Sequence, residues 1–463
     1  MDGYQREGSE YLTLNIREKF PNGGKIVIFV GIGTISQELD EKGVKHPKAE
    51  VGQELVNAAK KSLQAEGIDL EGNGIVLEIR EIKPTDSTNV VGSSQEELPF
   101  VASSQKNIST ATPTQEEIAL AIHNASLEED VIAVIAEFGT STNKEFTPKA
   151  RVMITSKKPV FIVTCNKAYN ERGTDAYRAM RNAIVAAYEF ARRGIGQVYS
   201  VYDREIADAR FISEHRGRPD YIFGPVASFD GDSNLMRFRN TEEDICRRMT
   251  ADMDYFNLEL SKNVLPFLII NGVDIVTMKK NLKQTAELAD AILLINTHDC
   301  SVRGDMYQVI AEIAEDKPMA ITPLYPVIKP DIDYETARAL AKIGVLTGTG
   351  WSIGLDHALL EAATARGTSL AERKIWFRDF RTRAEVGKFH GLIIPEELIS
   401  AKKLLYNSSM SYPDAVDRTL EMNSRFGEWV RTRDALTAII RPESAVVTSS
   451  PIVRQQPRER TRA

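Results

Sequence analysis

Short apolar runs separated by longer amphipathic stretches recur along the chain, and their order predicts an α/β architecture. Residues 26–30 form an unbroken run of β-branched and aromatic side chains, the pattern of a strand buried on both faces. Residues 75–82, 130–136, 159–164 and 196–202 are also predicted to be strands, the runs at 130–136 and 159–164 buried ones. Between them, apolar residues at helical spacing begin at Val51 and again after Pro113, where Glu116 and Glu117 occupy the favoured first turn. A long amphipathic helix is predicted over 175–193. Strands alternating with helices make a mostly parallel sheet covered on both sides.

Past a charge-rich stretch at 221–262, a shorter series follows. Its predicted strands are 265–270, 291–295 and 319–322, its helices 278–289 and 304–315, with closing helices at 334–343 and 356–366. The expected architecture is therefore α/β, with two αβα domains, mostly parallel sheets and a helical C-terminal extension. The boundaries read as 1–240 for a domain carrying the site, 250–368 for a smaller one, 369–441 for the extension and 442–463 for a disordered basic tail. Residues 36–50 read as a mobile loop, 91–112 as an exposed Ser/Gln/Thr-rich insertion, and 203–214 as a further loop.

Composition narrows the classes of partner. With 58 basic and 65 acidic residues the net charge is −7, which gives no general attraction for nucleic acid or membrane surfaces. The three cysteines, Cys165, Cys246 and Cys300, are scattered and odd in number, so a disulfide framework is not expected and a reducing compartment is. The six histidines are dispersed, with no CxxC or HExxH spacing, and neither metal nor cofactor is expected. The polar N-terminus is unlike a signal peptide, and the longest apolar run, 264–270, is interrupted by Pro266. A cytoplasmic protein is the expectation.

Candidate chemistry gathers at strand ends. The first strand runs into Gly31-Ile32-Gly33-Thr34, the second into Asp86-Ser87-Thr88, and the third into Phe138-Gly139-Thr140-Ser141-Thr142. A parallel sheet brings such ends to one edge, where ligands of open α/β sheets bind. A hydroxyl nucleophile also needs a base and oxyanion donors. Ser and Thr equally serve plain turns at strand ends, so the residues alone leave both readings open.

Their order resembles the bacterial-type L-asparaginase/glutaminase family over roughly residues 25–366. Gly31-Ile32-Gly33-Thr34-Ile35 is similar to that family's Thr-Gly-Gly-Thr-Ile motif, and Val51-Gly-Gln-Glu-Leu-Val56 to its Val-Gly-x-Glu-Leu-Val segment. Asp86-Ser87-Thr88 corresponds to the substrate-binding cluster, with Ser104-Gln105 as a rival, and Phe138-Gly139-Thr140-Ser141-Thr142 to His-Gly-Thr-Asp-Thr. Arg210-Phe-Ile-Ser213-Glu214 stands where the family has Arg-x-x-Thr-Lys.

The resemblance implies Thr34 as nucleophile, with Thr140 and Glu214 as its catalytic partners. Gly33, Ser87, Thr88, Gly139 and Ser141 are implied to bind substrate. Two departures bear on specificity: Ser141 replaces an Asp that anchors an α-amino group, and Glu214 replaces a Lys. The second exchange reverses local charge, so the expected substrate is a carboxamide other than free L-asparagine, and Glu214 is a candidate general base for Thr140. The implied partners are a small-molecule amide or acid and further copies of the chain, as a dimer or tetramer.

Two alternatives stand beside this. One is a non-catalytic descendant that binds a ligand or assembles with partners through 370–463. The other is the amidase subunit of a tRNA-dependent amidotransferase; about two dozen residues precede Lys25, where that protein has an extra domain.

Overall fold

The order of strands at the centre of the larger sheet decides where a site can form. The computed structural model describes residue 20 and residues 23–41, 45–85, 115–154, 156–215, 218–221, 225–229, 236–238, 260–261, 263–269, 274–296, 300, 302–325 and 335–389. All of them belong to one packed unit, residues 1–394.

The first strand, β1 (Gly24–Ile32), precedes a short hairpin of β2 (Gln37–Leu39) and β3 (Lys45–Pro47), then α1 (Ala49–Ala65) and β4 (Ile75–Thr85). The hairpin replaces most of the loop expected over 36–50: Glu38 pairs with His46 in its backbone register, and Lys48 forms an ion pair with Glu38. Next come α2 (Gln115–Leu127), β5 (Val131–Glu137), α3 (Thr140–Met153), β6 (Pro159–Thr164), α4 (Ala176–Arg193) and β7 (Gln197–Tyr202). The sheet then turns antiparallel through β8 (Glu205–Asp208), β11 (Ala227–Phe229) and β12 (Met236–Phe238). Between β8 and β11, β9 (Ile212–His215) and β10 (Arg218–Tyr221) form a separate hairpin. The loop expected over 203–214 is thus two strands joined by a 3-10 turn, Ala209–Phe211.

Among the described residues the large sheet has the order β12-β11-β8-β7-β6-β5-β1-β4, with β4, β1, β5, β6 and β7 parallel. Alternate residues of each central strand go to opposite faces, as the pleat requires. Ile26, Ile28 and Val30 join Ile135 and Phe161 under α1 and α4. Val27 and Phe29 join Val134 and Ile162 under α2 and α3. Burial on both faces explains why these strands read as unbroken apolar runs.

The smaller sheet, β13 (Val264–Ile269), β14 (Ala291–Asn296), β15 (Met319–Pro323) and β16 (Leu346–Thr347), is parallel throughout. Helices α5 (Ile275–Leu288), α6 (Tyr307–Ala314) and α7 (Glu335–Lys342) belong to this half. Helix α8 (Ile353–Arg366) packs on its strands and on α3, so nearly every one of its central residues is buried. An all-round buried helix loses its amphipathic signature. Its contact with α3 is close: a Cβ added at Gly354 would lie 2.2 Å from the Lys144 carbonyl oxygen.

Helix α9 (Leu370–Phe389) packs along α8, with the Arg366 guanidinium 4.0 Å from the centre of the Trp376 ring. The rest of the expected extension and the basic tail, 390–463, lie outside the described residues. No helix among the described residues is long and apolar enough to cross a membrane.

Candidate active site

Strand order creates a crevice between the carboxyl ends of β1 and β5. From β1 the chain leads to β4 on one side; from β5 it leads to β6 on the other. Adjacent strands whose connections part in this way leave the opening in which ligands of α/β sheets bind.

At that opening β1 ends in a distorted turn. Its pairing with β4 slips between Val30 and Ile32, a bulge centred on Gly31, whose φ is +110°. Gly33 has φ +80°, and the chain then enters a 3-10 turn, Thr34–Ser36, in which the Ser36 amide donates to the Gly33 carbonyl at 3.1 Å. Both glycines occupy the left-handed half of φ space that other residues avoid. Space is equally restrictive: a Cβ at Gly33 would lie 2.3 Å from the Gly139 nitrogen and 2.4 Å from the Phe138 carbonyl carbon. The turn carrying Thr34 and the segment carrying Gly139 and Thr140 therefore touch backbone to backbone.

The second segment is anchored to its neighbours. Phe138 donates its amide to the Val163 carbonyl at 2.9 Å and stacks on Phe146 at 3.9 Å between ring centres. Gly139 is the N-cap of α3, so Thr140, Ser141 and Thr142 are its first three residues rather than a loop. The first-turn amides of a helix have no intrahelical acceptor and favour negative charge nearby. The sequence pattern does not disclose α3, because much of what it buries is polar. Asn143 donates to Ser200 Oγ at 3.0 Å and accepts from Thr147, while Lys149 Nζ reaches Glu116 at 2.9 Å and Glu361 at 3.1 Å.

Glu214 lies on β9, opposite Pro219 of β10, and α3 packs against both strands. The strand of Glu214 thus runs beside the helix that Thr140 opens. The preceding turn is held from three sides. Arg210, buried, donates to Asp208 through Nε at 3.0 Å and Nη2 at 2.5 Å, and through Nη1 to the Ala384 carbonyl of α9 at 2.6 Å. Phe211 meets Trp351 edge to face, 4.9 Å between centres. Burial pushes the Asp208 carboxyl up, but the adjacent Arg210 guanidinium outweighs it and holds the group below its usual range.

Ser87, Thr88, Ser104 and Gln105 lie outside the described residues. Strand β4 ends at Thr85, opposite Ile32 in the β1 register, so its carboxyl end lies beside the strand end that leads into the Thr34 turn.

Two residues of the crevice escape sequence reasoning. Glu137, the last residue of β5, is 1% exposed, and its Oε2 accepts from the Gly31 amide at 3.1 Å and from the Ser36 hydroxyl. Ser36 Oγ in turn accepts from the Gly31 amide at 3.0 Å. Glu137 Oε1 is buried without a hydrogen-bond partner among the described residues. Burial drives this carboxyl up to about 7, against the opposing pull of its bonds from Ser36 and Gly31. The available signal was a single acid closing an otherwise apolar strand. Among the described residues, no three His, Cys, Asp or Glu side chains gather as a metal site.

Comparison with known proteins gives four results. Residues 25–218 match the family model described as Asparaginase, N-terminal. The thermostable L-asparaginase from Thermococcus kodakarensis superposes with a TM-score of 0.58 at 20% identity, covering 78% of this chain and 98% of that one. A probable cytoplasmic L-asparaginase from Campylobacter jejuni gives 0.56 at 15% identity, covering 77% and 99%. At these identities the structural likeness concerns the fold. A search of curated protein sequences returned no match.

Proposed function

Residues 25–218 belong to the asparaginase N-terminal domain family, and from that premise we propose that the chain is an amidohydrolase that uses Thr34 as nucleophile. The observation that carries this reading is the backbone contact of the Thr34 turn with Gly139 at the strand-order reversal. Fold alone does not assign an activity, so the argument rests on this juxtaposition.

In the proposed reaction the Thr34 hydroxyl attacks the carboxamide carbon. The new C–O bond forms as the C–N bond breaks, and the hydroxyl proton leaves with the amine as ammonia. Water then hydrolyses the ester, returning Thr34 and a carboxylic acid. The amides of the first turn of α3 suit the developing oxyanion or the acid product. Thr140 and Glu214 are proposed to serve proton transfer, and Gly33, Ser87, Thr88, Gly139 and Ser141 to line the substrate. With Ser141 and Glu214 where the family has Asp and Lys, the substrate is proposed to lack the α-amino-acid head group or to carry positive charge. Assembly into a dimer or tetramer is proposed on the same resemblance, and a cytoplasmic location on the scattered cysteines.

Ammonia release from a panel of free and peptidyl amides tests this, with Thr34→Ala as control. Release that Thr34→Ala abolishes supports it; no release from any amide, or unchanged release in the variant, overturns it. The same two departures favour a second reading, a ligand-binding descendant without turnover, which any Thr34-dependent release by the native protein excludes.

A further inference from the structure

Glu137 clasps both ends of the turn that presents Thr34. Its Oε2 takes the Gly31 amide at 3.1 Å and the Ser36 hydroxyl, which itself takes the Gly31 amide at 3.0 Å. These three groups close a loop containing Ile32, Gly33, Thr34 and Ile35. The carboxylate comes from β5, whereas the turn follows β1, so the clasp ties the two motifs of the crevice together across the turn that carries Thr34. Helix α1 closes the remaining side: a Cβ at Gly52 would lie 3.0 Å from Glu137 Oε2 and 2.5 Å from Val30 Cβ. A buried acid at this position is not needed to fill space in a strand that is otherwise apolar. Burying it costs free energy unless its hydrogen bonds do something an alkyl side chain cannot.

We propose that Glu137 is a positioning residue for Thr34, acting by holding Gly31 and Ser36 in the bulged turn. The inference rests on the reading of Thr34 as nucleophile. A displacement of about 1 Å costs a reacting group on the order of 100-fold in rate. The turn has two positive-φ glycines, which leave it many alternative conformations once untied.

Two substitutions separate the acceptor from the bulk. Glu137→Gln keeps a carbonyl oxygen for the Gly31 amide and the Ser36 hydroxyl, and its amide nitrogen takes the place of Oε1, which has no partner among the described residues. Glu137→Leu keeps the volume and removes the acceptor.

The probe is p-nitrophenyl acetate on the full chain, with acetylation of Thr34 followed by mass spectrometry. In that reaction the ester C–O bond breaks, p-nitrophenolate leaves, and the Thr34 proton passes to solvent. Hydrogen–deuterium exchange over residues 31–36 is measured in parallel, with melting temperature as a fold control. The expected result is at least 10-fold slower Thr34 acetylation and faster exchange over 31–36 in Glu137→Leu, with Glu137→Gln within about 3-fold of the native protein on both. Native-like acetylation or native-like exchange in Glu137→Leu overturns the inference, as does a Gln variant as impaired as the Leu variant. Failure of the native protein to acetylate at Thr34 overturns the nucleophile reading instead, and the exchange measurement then decides the clasp by itself.

Discussion

Glu137 Oε2 and the Gly31 amide meet across 3.1 Å although 106 positions separate them in the chain. The bond joins the end of β5 to the bulge that ends β1, and so sets the geometry of the crevice between them. It also places a titratable group in a fully buried setting, with a consequence for stability.

The folded-state carboxyl of Glu137 lies near 7, above the ordinary value of 4.5. Below pH 4.5 the group is protonated whether the chain is folded or unfolded, and contributes no difference. Between pH 4.5 and 7 the unfolded chain releases this proton and the folded chain keeps it, so stability falls as pH rises. The loss levels off above pH 7 at about 3 kcal/mol, from roughly 1.4 kcal/mol per pH unit. Glu137→Gln should therefore flatten this part of the stability–pH curve, and denaturant titrations of both proteins at pH 5 and pH 8 check it. An equal pH dependence in the two proteins would show that Glu137 does not titrate in this window.

Gly33→Ala is expected to damage the fold and the site together. The added methyl would sit 2.3 Å from the Gly139 nitrogen, against backbone that cannot rotate away, at a φ of +80°. Overpacking and left-handed strain together cost about 2–5 kcal/mol. The denaturation midpoint should drop, and the proposed amide hydrolysis should fall by more than 10-fold even under conditions where the variant remains folded.

Lys149 ties the site helix α3 to α2 and α8 through Glu116 and Glu361. Its side chain is 9% exposed and that of Glu361 is 6% exposed, so neither ion can turn to water when its partner is removed. Burial pushes the lysine down, but the two carboxylates raise it overall. Lys149→Met removes one of two cationic partners of Glu361, leaving it the His357 ring at 3.5 Å, and is expected to cost about 3 kcal/mol by urea denaturation. Adding Glu361→Gln should recover part of the loss, and strict additivity of the two changes would show that they do not interact.

A second buried carboxylate pins the smaller sheet. Asp356 accepts from Thr322 Oγ1 at 2.6 Å, the Thr349 amide at 2.6 Å and the Gly350 amide at 3.2 Å. It joins β15, the loop after β16 and the first turn of α8. Asp356→Ala leaves three donors without their acceptor and should destabilise by about 2–5 kcal/mol. Asp356→Asn keeps one acceptor oxygen and should cost less; a denaturant midpoint that does not distinguish the two would contradict this account.

Patterns of apolar side chains made most of both sheets legible. The runs at 26–30, 130–136 and 159–164 are strands because their two faces meet two separate helical layers, which no amphipathic pattern could satisfy. The long helix at 175–193 was equally plain: α4 keeps its apolar residues at helical spacing although Ala179 to Ala191 are all buried, and it stops at Gly194, whose φ is +68°. The short elements were not legible. The β2–β3 and β9–β10 hairpins and the strands β8, β11 and β12 are three or four residues each, too short for a period to register.

Helix α3 escaped for a different reason: it buries Asn143, Thr147, Lys149 and Arg151, and carries Pro148 within it. Polar groups at such positions look like solvent-facing ones until their partners on β7, α2 and α8 are in place.

By itself the sequence determined the alternation of strands and helices and the strand-end hydroxyls, because burial of apolar side chains and left-handed glycines are local requirements written residue by residue. That Gly33 rests on Gly139, and that Glu137 reaches back to Gly31 and Ser36, was decided only by tertiary structure. Strand order is set by which faces pack together, and a buried carboxylate takes its partners, and with them its proton affinity, from whatever that packing brings within hydrogen-bond reach.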